Sequence, residues 1–135
     1  MMDDYDILER VGKGSYGTVH LVKRRTSNRE REFLYVLKII EIGDEENGVD
    51  YVANEVDVLK SCRHPNVVNF VEQLPGSNMP GNGGDAMSVG IVMEYCENGD
   101  LANYIRTNRR KKLFCEEVFL VFWGAQLASA LSYIH

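Results

Sequence analysis

Cysteine is scarce in this chain: three in 135 residues, at Cys62, Cys96 and Cys115. They are too few and too scattered for a disulfide framework or a zinc site, and they fit reduced thiols in a cytosolic or nuclear protein. Basic charge is short as well. Fifteen Lys and Arg stand against 20 Asp and Glu, a formal net charge of −5, which argues against a nucleic-acid partner bound through a basic face. The amino terminus, Met1-Met2-Asp3-Asp4-Tyr5-Asp6, has neither the positive region nor the apolar stretch of a secretory leader. Long apolar runs are missing too. The longest, Val118 to Ala125, falls far below the ~20 residues a bilayer requires, so no membrane partner is expected. What is present is an ordinary globular mixture, 44% hydrophobic and 26% charged. A chain of this length buries about two thirds of its unfolded surface, enough for a core without staples. These observations predict a soluble, cytoplasmic protein, with one compact domain or a piece of a larger one.

The first forty residues read as strands. Ile7, Leu8 and Val11 lead into Gly12-Lys13-Gly14-Ser15-Tyr16-Gly17, and Val19, Leu21 and Val22 follow in rough alternation. A polar stretch from Lys23 to Glu32 reads as a hairpin loop, and Phe33 to Ile40 as a third, strongly β-prone strand holding a single Lys. Gly43 to Gly48 is an acidic breaker. Val52, Val56 and Leu59 then recur at helical spacing with Glu55 beside them, predicting a helix near 50–61. Pro65 closes that region. Val67 to Leu74 and Val89 to Met93 read as a fourth and a fifth strand, separated by an insertion at 75–87 with two Pro and four Gly. Asp100 is placed to cap a short helix carrying Leu101, Tyr104 and Ile105. Arg109 to Lys112 reads as a basic connector, and 116–135 as a long, unusually apolar helix.

Gly12-x-Gly14-x-x-Gly17 alone says little. A dinucleotide fingerprint requires a helix after the third glycine, whereas Thr18-Val19-His20-Leu21-Val22 is β-branched and alternating. The phosphate loop of the GxxxxGK[ST] kind is absent, since Thr18 follows Gly17. A strand after the glycines makes them a β-hairpin lid whose amides can close over phosphates, or a plain Gly-rich turn. Lys38 adds to this. Within Val36-Leu37-Lys38-Ile39-Ile40 a buried ammonium is costly unless paired, although an edge-strand Lys can reach water. Glu55, beside the apolar stripe of the next helix, is the candidate partner. Glycine hairpin, strand Lys and helix Glu, in that order, form a set that chance explains poorly.

Five segments together resemble the N-terminal lobe of a eukaryotic protein kinase: Val11 to Val19, Tyr35-Val36-Leu37-Lys38, Asn54 to Leu59, His64-Pro65-Asn66-Val67-Val68, and Val92-Met93-Glu94-Tyr95-Cys96. Met93-Glu94-Tyr95-Cys96 followed by Asn98-Gly99-Asp100-Leu101, and Lys112-Leu113-Phe114 before an acidic helix start, are similar to the NIMA-related serine/threonine kinases. The resemblance implies an α+β fold. A five-stranded antiparallel sheet plus one helix (4–93) would be followed by a hinge (94–99) and by the first two helices of an incomplete helical C-lobe (100–135). It implies ATP as the ligand, with Gly12, Lys13, Gly14, Ser15, Tyr16 and Gly17 over the phosphates and the glycines there for lack of a Cβ. Lys38 would hold the α- and β-phosphates, oriented by Glu55. Val11, Val19, Val36 and Met93 would line the adenine slot, backbone groups of Glu94 and Cys96 would hydrogen-bond the adenine, and Asp100 would lie near the ribose. Leu59 and Phe70 match the family's upper hydrophobic-spine positions.

One absence bears on mechanism. The family's HRD catalytic loop and its DFG Asp, which serve the substrate hydroxyl and Mg²⁺, occur nowhere in these 135 residues. Residues 124–135 resemble the helix that precedes HRD, so the chain reads as a kinase domain ending at the entrance to its catalytic loop. Mg²⁺ and the catalytic Asp then belong to residues it does not contain, and it is expected to be inactive alone. Two readings stay open: the ATP-binding part of a Ser/Thr protein kinase that acts on protein substrates, or a non-catalytic module acting by nucleotide or protein binding.

Overall fold

Alternation in the first forty residues produces three strands. In the computed structural model, which describes residues 4–14, 17–25, 33–42, 48–76 and 87–135, β1 (Tyr5–Gly14), β2 (Gly17–Arg24) and β3 (Leu34–Ile42) are followed by helix α1 (Gly48–Ser61) and strands β4 (Phe70–Pro75) and β5 (Met87–Glu94). Helices α2 (Leu101–Lys111) and α3 (Glu117–Ile134) complete the order. The strands form one antiparallel sheet in the order β1-β2-β3-β5-β4. The expected α+β architecture is the one observed.

Two compact units divide the chain. The first holds the sheet and α1. Its period-2 pattern sends Leu37 and Ile39 to one face, where they pack with Tyr5, Val22, Leu74 and Val92. Ile40 goes to the other face and packs with Ile91 and with Val52 and Val56 of α1, flanked by Leu59 and Phe70. Both faces of β3 are therefore buried, which is why its sequence is nearly continuously apolar. The sheet's two edges are tied by side chains. The Tyr5 hydroxyl on β1 donates to Glu72 Oε1 on β4 at 2.7 Å, and Arg24 pairs with the same carboxylate at 3.3 Å. Burial and that hydrogen bond push the Tyr5 phenol well above its ordinary pKa.

The second unit comprises residues 64–67 and 96–135. Asp100 caps α2 as expected, its Oδ1 accepting from the Asn103 amide at 2.6 Å. The supposed basic connector is instead helix: Arg109, Arg110 and Lys111 form the last turn of α2, and Lys112 is its left-handed C-cap. Lys and Arg are good helix formers, and cations there suit the helix dipole.

Strand boundaries differ from expectation by one to three residues, β3 ending at Ile42 and β5 running from Met87 to Glu94, and most at β4. β4 starts at Phe70 rather than Val67, because residues 64–67 form a turn closed by Val67 N–H on the His64 carbonyl at 3.1 Å. The His64 ring in turn stacks on Tyr133 of α3 and bonds Ser129 Oγ at 3.1 Å. At the other end β4 runs through Pro75, opposite Val89, as an edge strand permits. Residues 77–86 of the insertion, most of the 23–32 loop and residues 43–47 lie outside the described residues.

α3 corrects the reading of apolar runs. Among the described residues it is the one helix long and apolar enough, by length and composition alone, to cross a membrane. Counting uninterrupted runs misses it, because Gln126, Ser129 and Ser132 break the run without adding charge. Core helices of soluble proteins pass the same test.

His20 on β2 gives a pH handle on the first unit. Burial, with Arg10 nearby, holds its imidazole below the ordinary range, and its Nε2 lies 3.1 Å from Thr18 Oγ1. The unfolded chain then binds more protons than the folded one as pH falls past the unfolded value of about 6.5, so stability declines on acidification through that window. Urea midpoints of the wild type should drop between neutral pH and about pH 5.5. His20→Gln should lessen that drop, and an identical pH slope in the variant would contradict the assignment.

Candidate functional site

Alternation on β3 decides where its one cation goes. Val36, Lys38 and Ile40 share the face that α1 covers, and Lys38 stands opposite Val19 on β2 and Ile91 on β5. On α1, the 3.6-residue period that buries Val52 and Val56 brings Glu55 to the same side. Lys38 Nζ meets Glu55 Oε1 at 2.5 Å, with side chains 30% and 24% exposed. A partly exposed pair of this kind contributes only ~0–1 kcal/mol to stability. Its consequence is orientation: the ammonium is held at a fixed point on the sheet, with two donors to spare.

The apolar candidates fall on the same face. Val19 lies across from Lys38, and Val36 across from Met93. All three are half-buried. Val11 is exposed, at the register shift between Arg10 and Gly12. The glycine segment is the hairpin joining β1 and β2, closed by the Gly14–Gly17 pair, with exposed Lys13 opposite Thr18. Ser15 and Tyr16 at its tip lie outside the described residues.

Within the sheet the glycines are not equivalent. Gly17 has φ +149°, and a Cβ there would fall 1.8 Å from the Ile39 carbonyl oxygen and 3.2 Å from Ile40 Cα. Close approach of β2 to β3 therefore requires Gly17, whatever the hairpin covers. A Cβ on Gly12 would touch only Val19, at 3.6 Å, so no protein atom forbids a side chain there.

The end of β5 is held by a residue that periodicity does not single out. Glu94 N–H donates to the Asn69 carbonyl at 3.0 Å, and Asn69 Nδ2 donates to Glu94 Oε2. The available signal is a polar residue interrupting Val67-Val68-Asn69-Phe70-Val71, which by itself names no partner. Cys96 and Asp100 belong to the second unit. Cys96 is an exposed free thiol whose carbonyl accepts from Gly99 N–H at 3.0 Å. Both carboxylate oxygens of Asp100 are engaged by Asn103, at 2.6 and 2.9 Å. Among the described residues no group of His, Cys, Asp or Glu is arranged to hold a metal ion.

A half-buried ammonium oriented by a carboxylate, beside an apolar row and on the strand next to a glycine hairpin, can hold an anionic ligand with a flat apolar part. Comparisons with known proteins agree. A family model described as "Protein kinase domain" matches residues 5–135. Serine/threonine-protein kinase Nek2 of Mus musculus is 30% identical over 99% of this chain and 28% of its own length. The G2-specific protein kinase fin1 of Schizosaccharomyces pombe is 36% identical over 99% of this chain and 17% of its own length. Serine/threonine-protein kinase Nek4 of Mus musculus is 34% identical over 97% and 15%. The chain thus spans less than a third of the length of these relatives.

Proposed function

The chain belongs to the protein kinase family, and from that membership we propose that its first unit holds ATP for transfer of the γ-phosphoryl group to protein Ser or Thr hydroxyls. Its likeness is to the NIMA-related kinases, and it carries the segment ahead of the catalytic loop without that loop's Asp. The observation that supports the proposal best is the Lys38–Glu55 ion pair at 2.5 Å, because a cation fixed in place costs no reorganisation when charge develops on the phosphates. ATP brings the transferable phosphoryl group. The residues of this chain bind and orient it: Lys38 on the α- and β-phosphates, Glu55 on Lys38, and the amides of 12–17 over the phosphate chain. Val11, Val19, Val36 and Met93 would line the adenine and the backbone of Glu94 would hydrogen-bond its edge, while Cys96 and Asp100, which belong to the second unit, are assigned to the adenine edge and the ribose by the family resemblance alone. Mg²⁺ and the substrate hydroxyl fall to residues outside this chain. Three free thiols fit work in the reducing cytoplasm.

Lys38→Met tests the proposal. In a chain extended through its catalytic loop, the variant should lose two or more orders of magnitude in transfer rate with its melting curve unchanged, since a long apolar side chain suits β3. Near-normal transfer would overturn the assignment. The 135 residues alone should bind ATP weakly and show no turnover in a radiolabel assay.

A further inference from the structure

A bulge lies just where β4 and β5 begin to pair. Phe70 stands opposite Met93 and Glu72 opposite Val92, so Val71 is extra and the register shifts there. A bulge bends its strand and re-aims the neighbouring residues. Between the bulge and the end of β5 only two residues keep the strands together. Phe70 is the last to pair within the strands, and Asn69 stands one residue outside the strand. Yet Asn69 adds another rung. Its carbonyl takes the Glu94 amide hydrogen at 3.0 Å, and its side-chain amide donates to the Glu94 carboxylate. One exposed residue therefore holds the last residue of β5 by both its main chain and its side chain.

We propose that Asn69 is a positioning residue for the purine end of the nucleotide site, setting through Glu94 where the adenine-binding edge sits. The inference rests on the nucleotide reading above. An amide fits this place because its carbonyl-flanked NH₂ donates to a carboxylate without cancelling the charge. Asn69 is exposed, so changing it opens no core cavity, and its influence is confined to the end of β5. A displaced Glu94 carbonyl would weaken hydrogen bonding to the purine and leave the phosphate-holding Lys38, on β3, unaffected. Adenine recognition and phosphate recognition should therefore separate.

Phosphorus NMR titrations of the 135-residue chain, kept soluble by Val121→Glu and Leu127→Glu on α3, with ATP and with inorganic tripolyphosphate read both kinds of recognition, weak affinities included. Asn69→Asp sets two carboxylates against each other and should lower ATP affinity roughly tenfold with tripolyphosphate affinity and melting curve unchanged. Asn69→Ala, which removes the donor alone, should lose less. The swapped pair Asn69→Asp with Glu94→Gln restores a donor and an acceptor and should recover most of the affinity. Hydrogen exchange at the Glu94 amide should rise in Asn69→Asp and fall again in the double variant. Unchanged ATP affinity in Asn69→Asp, an equal loss for tripolyphosphate, or failure of the swap would each overturn the positioning role. Failure of the nucleotide reading looks different: the wild type would ignore ATP, or Lys38→Met would bind it as well as the wild type, and this inference would fall with it.

Discussion

Gly17→Ala should unfold or severely destabilise the sheet, whether or not nucleotide is present. At φ +149° the new Cβ would sit 1.8 Å from the Ile39 carbonyl oxygen and 2.9 Å from its carbon. Those are backbone atoms of the central strand, flanked by the fully buried Leu37 and Ile40, and they cannot swing aside as a side chain would. Relief requires β2 to lift away from β3 along the Gly17–Ile40 and Thr18–Ile39 pairs, taking the hairpin with it. Backbone strain and overpacking each cost roughly 1–3 kcal/mol, so together they reach roughly 2–6 kcal/mol, a large share of the ~5–15 kcal/mol that holds a domain folded. Gly12→Ala is the control. Its Cβ would make an ordinary 3.6 Å contact with Val19 and should change the denaturation midpoint little. Were Gly17 present only to let phosphates approach, both variants would fold normally and differ from wild type in ATP binding alone. Urea denaturation followed by circular dichroism separates the two cases.

That distinction shows where the sequence is legible and where it is not. Alternation and helical spacing are local, so the five strands, α1 and the placement of Lys38 and Glu55 on facing elements can be read from single segments. The glycine spacing can be read as well, but the reason for Gly17 cannot, since the atom it avoids lies on a strand more than twenty residues away. The same holds for Tyr5 and Glu72, 67 positions apart, and for Asn69 and Glu94, 25 apart. A hydrogen bond across the sheet leaves no periodic trace in either partner. Propensity misplaces the start of β4 for a related reason. Val67 and Val68 favour a strand, but the His64 ring and carbonyl close a turn there, and propensity yields to such contacts. At the end of α2, Arg109 to Lys111 resemble a loop by charge alone, although these residues are good helix formers in a favourable place.

The 135-residue chain should self-associate at micromolar concentration and bind hydrophobic dyes, because α3 is apolar on more than one face and buries almost none of it. Of its side chains only Ala130 is buried. Phe122 is 57% exposed, Leu127 63%, Leu131 48% and Ile134 56%. What α3 does touch is limited to one side: Trp123 lies edge-on to Tyr104 of α2 with ring centroids 5.1 Å apart, and Tyr133 stacks on His64. Leu101, Leu120, Trp123 and Leu127 line an open depression of about 490 Å³. A helix apolar nearly all round is normally buried on several sides. Fully burying a Leu- or Phe-sized side chain is worth roughly 1.5–3 kcal/mol, so four that stay about half exposed forgo roughly 3–7 kcal/mol. Association that covers this surface would recover a contribution that reaches the lower end of the ~5–15 kcal/mol that holds a domain folded. Replacing Val121 and Leu127 by Glu should raise solubility and lower dye binding while leaving the Lys38–Glu55 unit folded, since both residues are exposed and belong to the other compact unit. Truncation after Arg110 should act in the same direction. Static light scattering over a concentration series, with dye fluorescence on the same samples, decides the matter. A wild-type chain that stays monomeric and dye-silent would mean that α3 is covered within the chain. Co-flotation with neutral lipid vesicles, lost in the two-Glu variant, would instead assign its 18 apolar-rich residues to a bilayer.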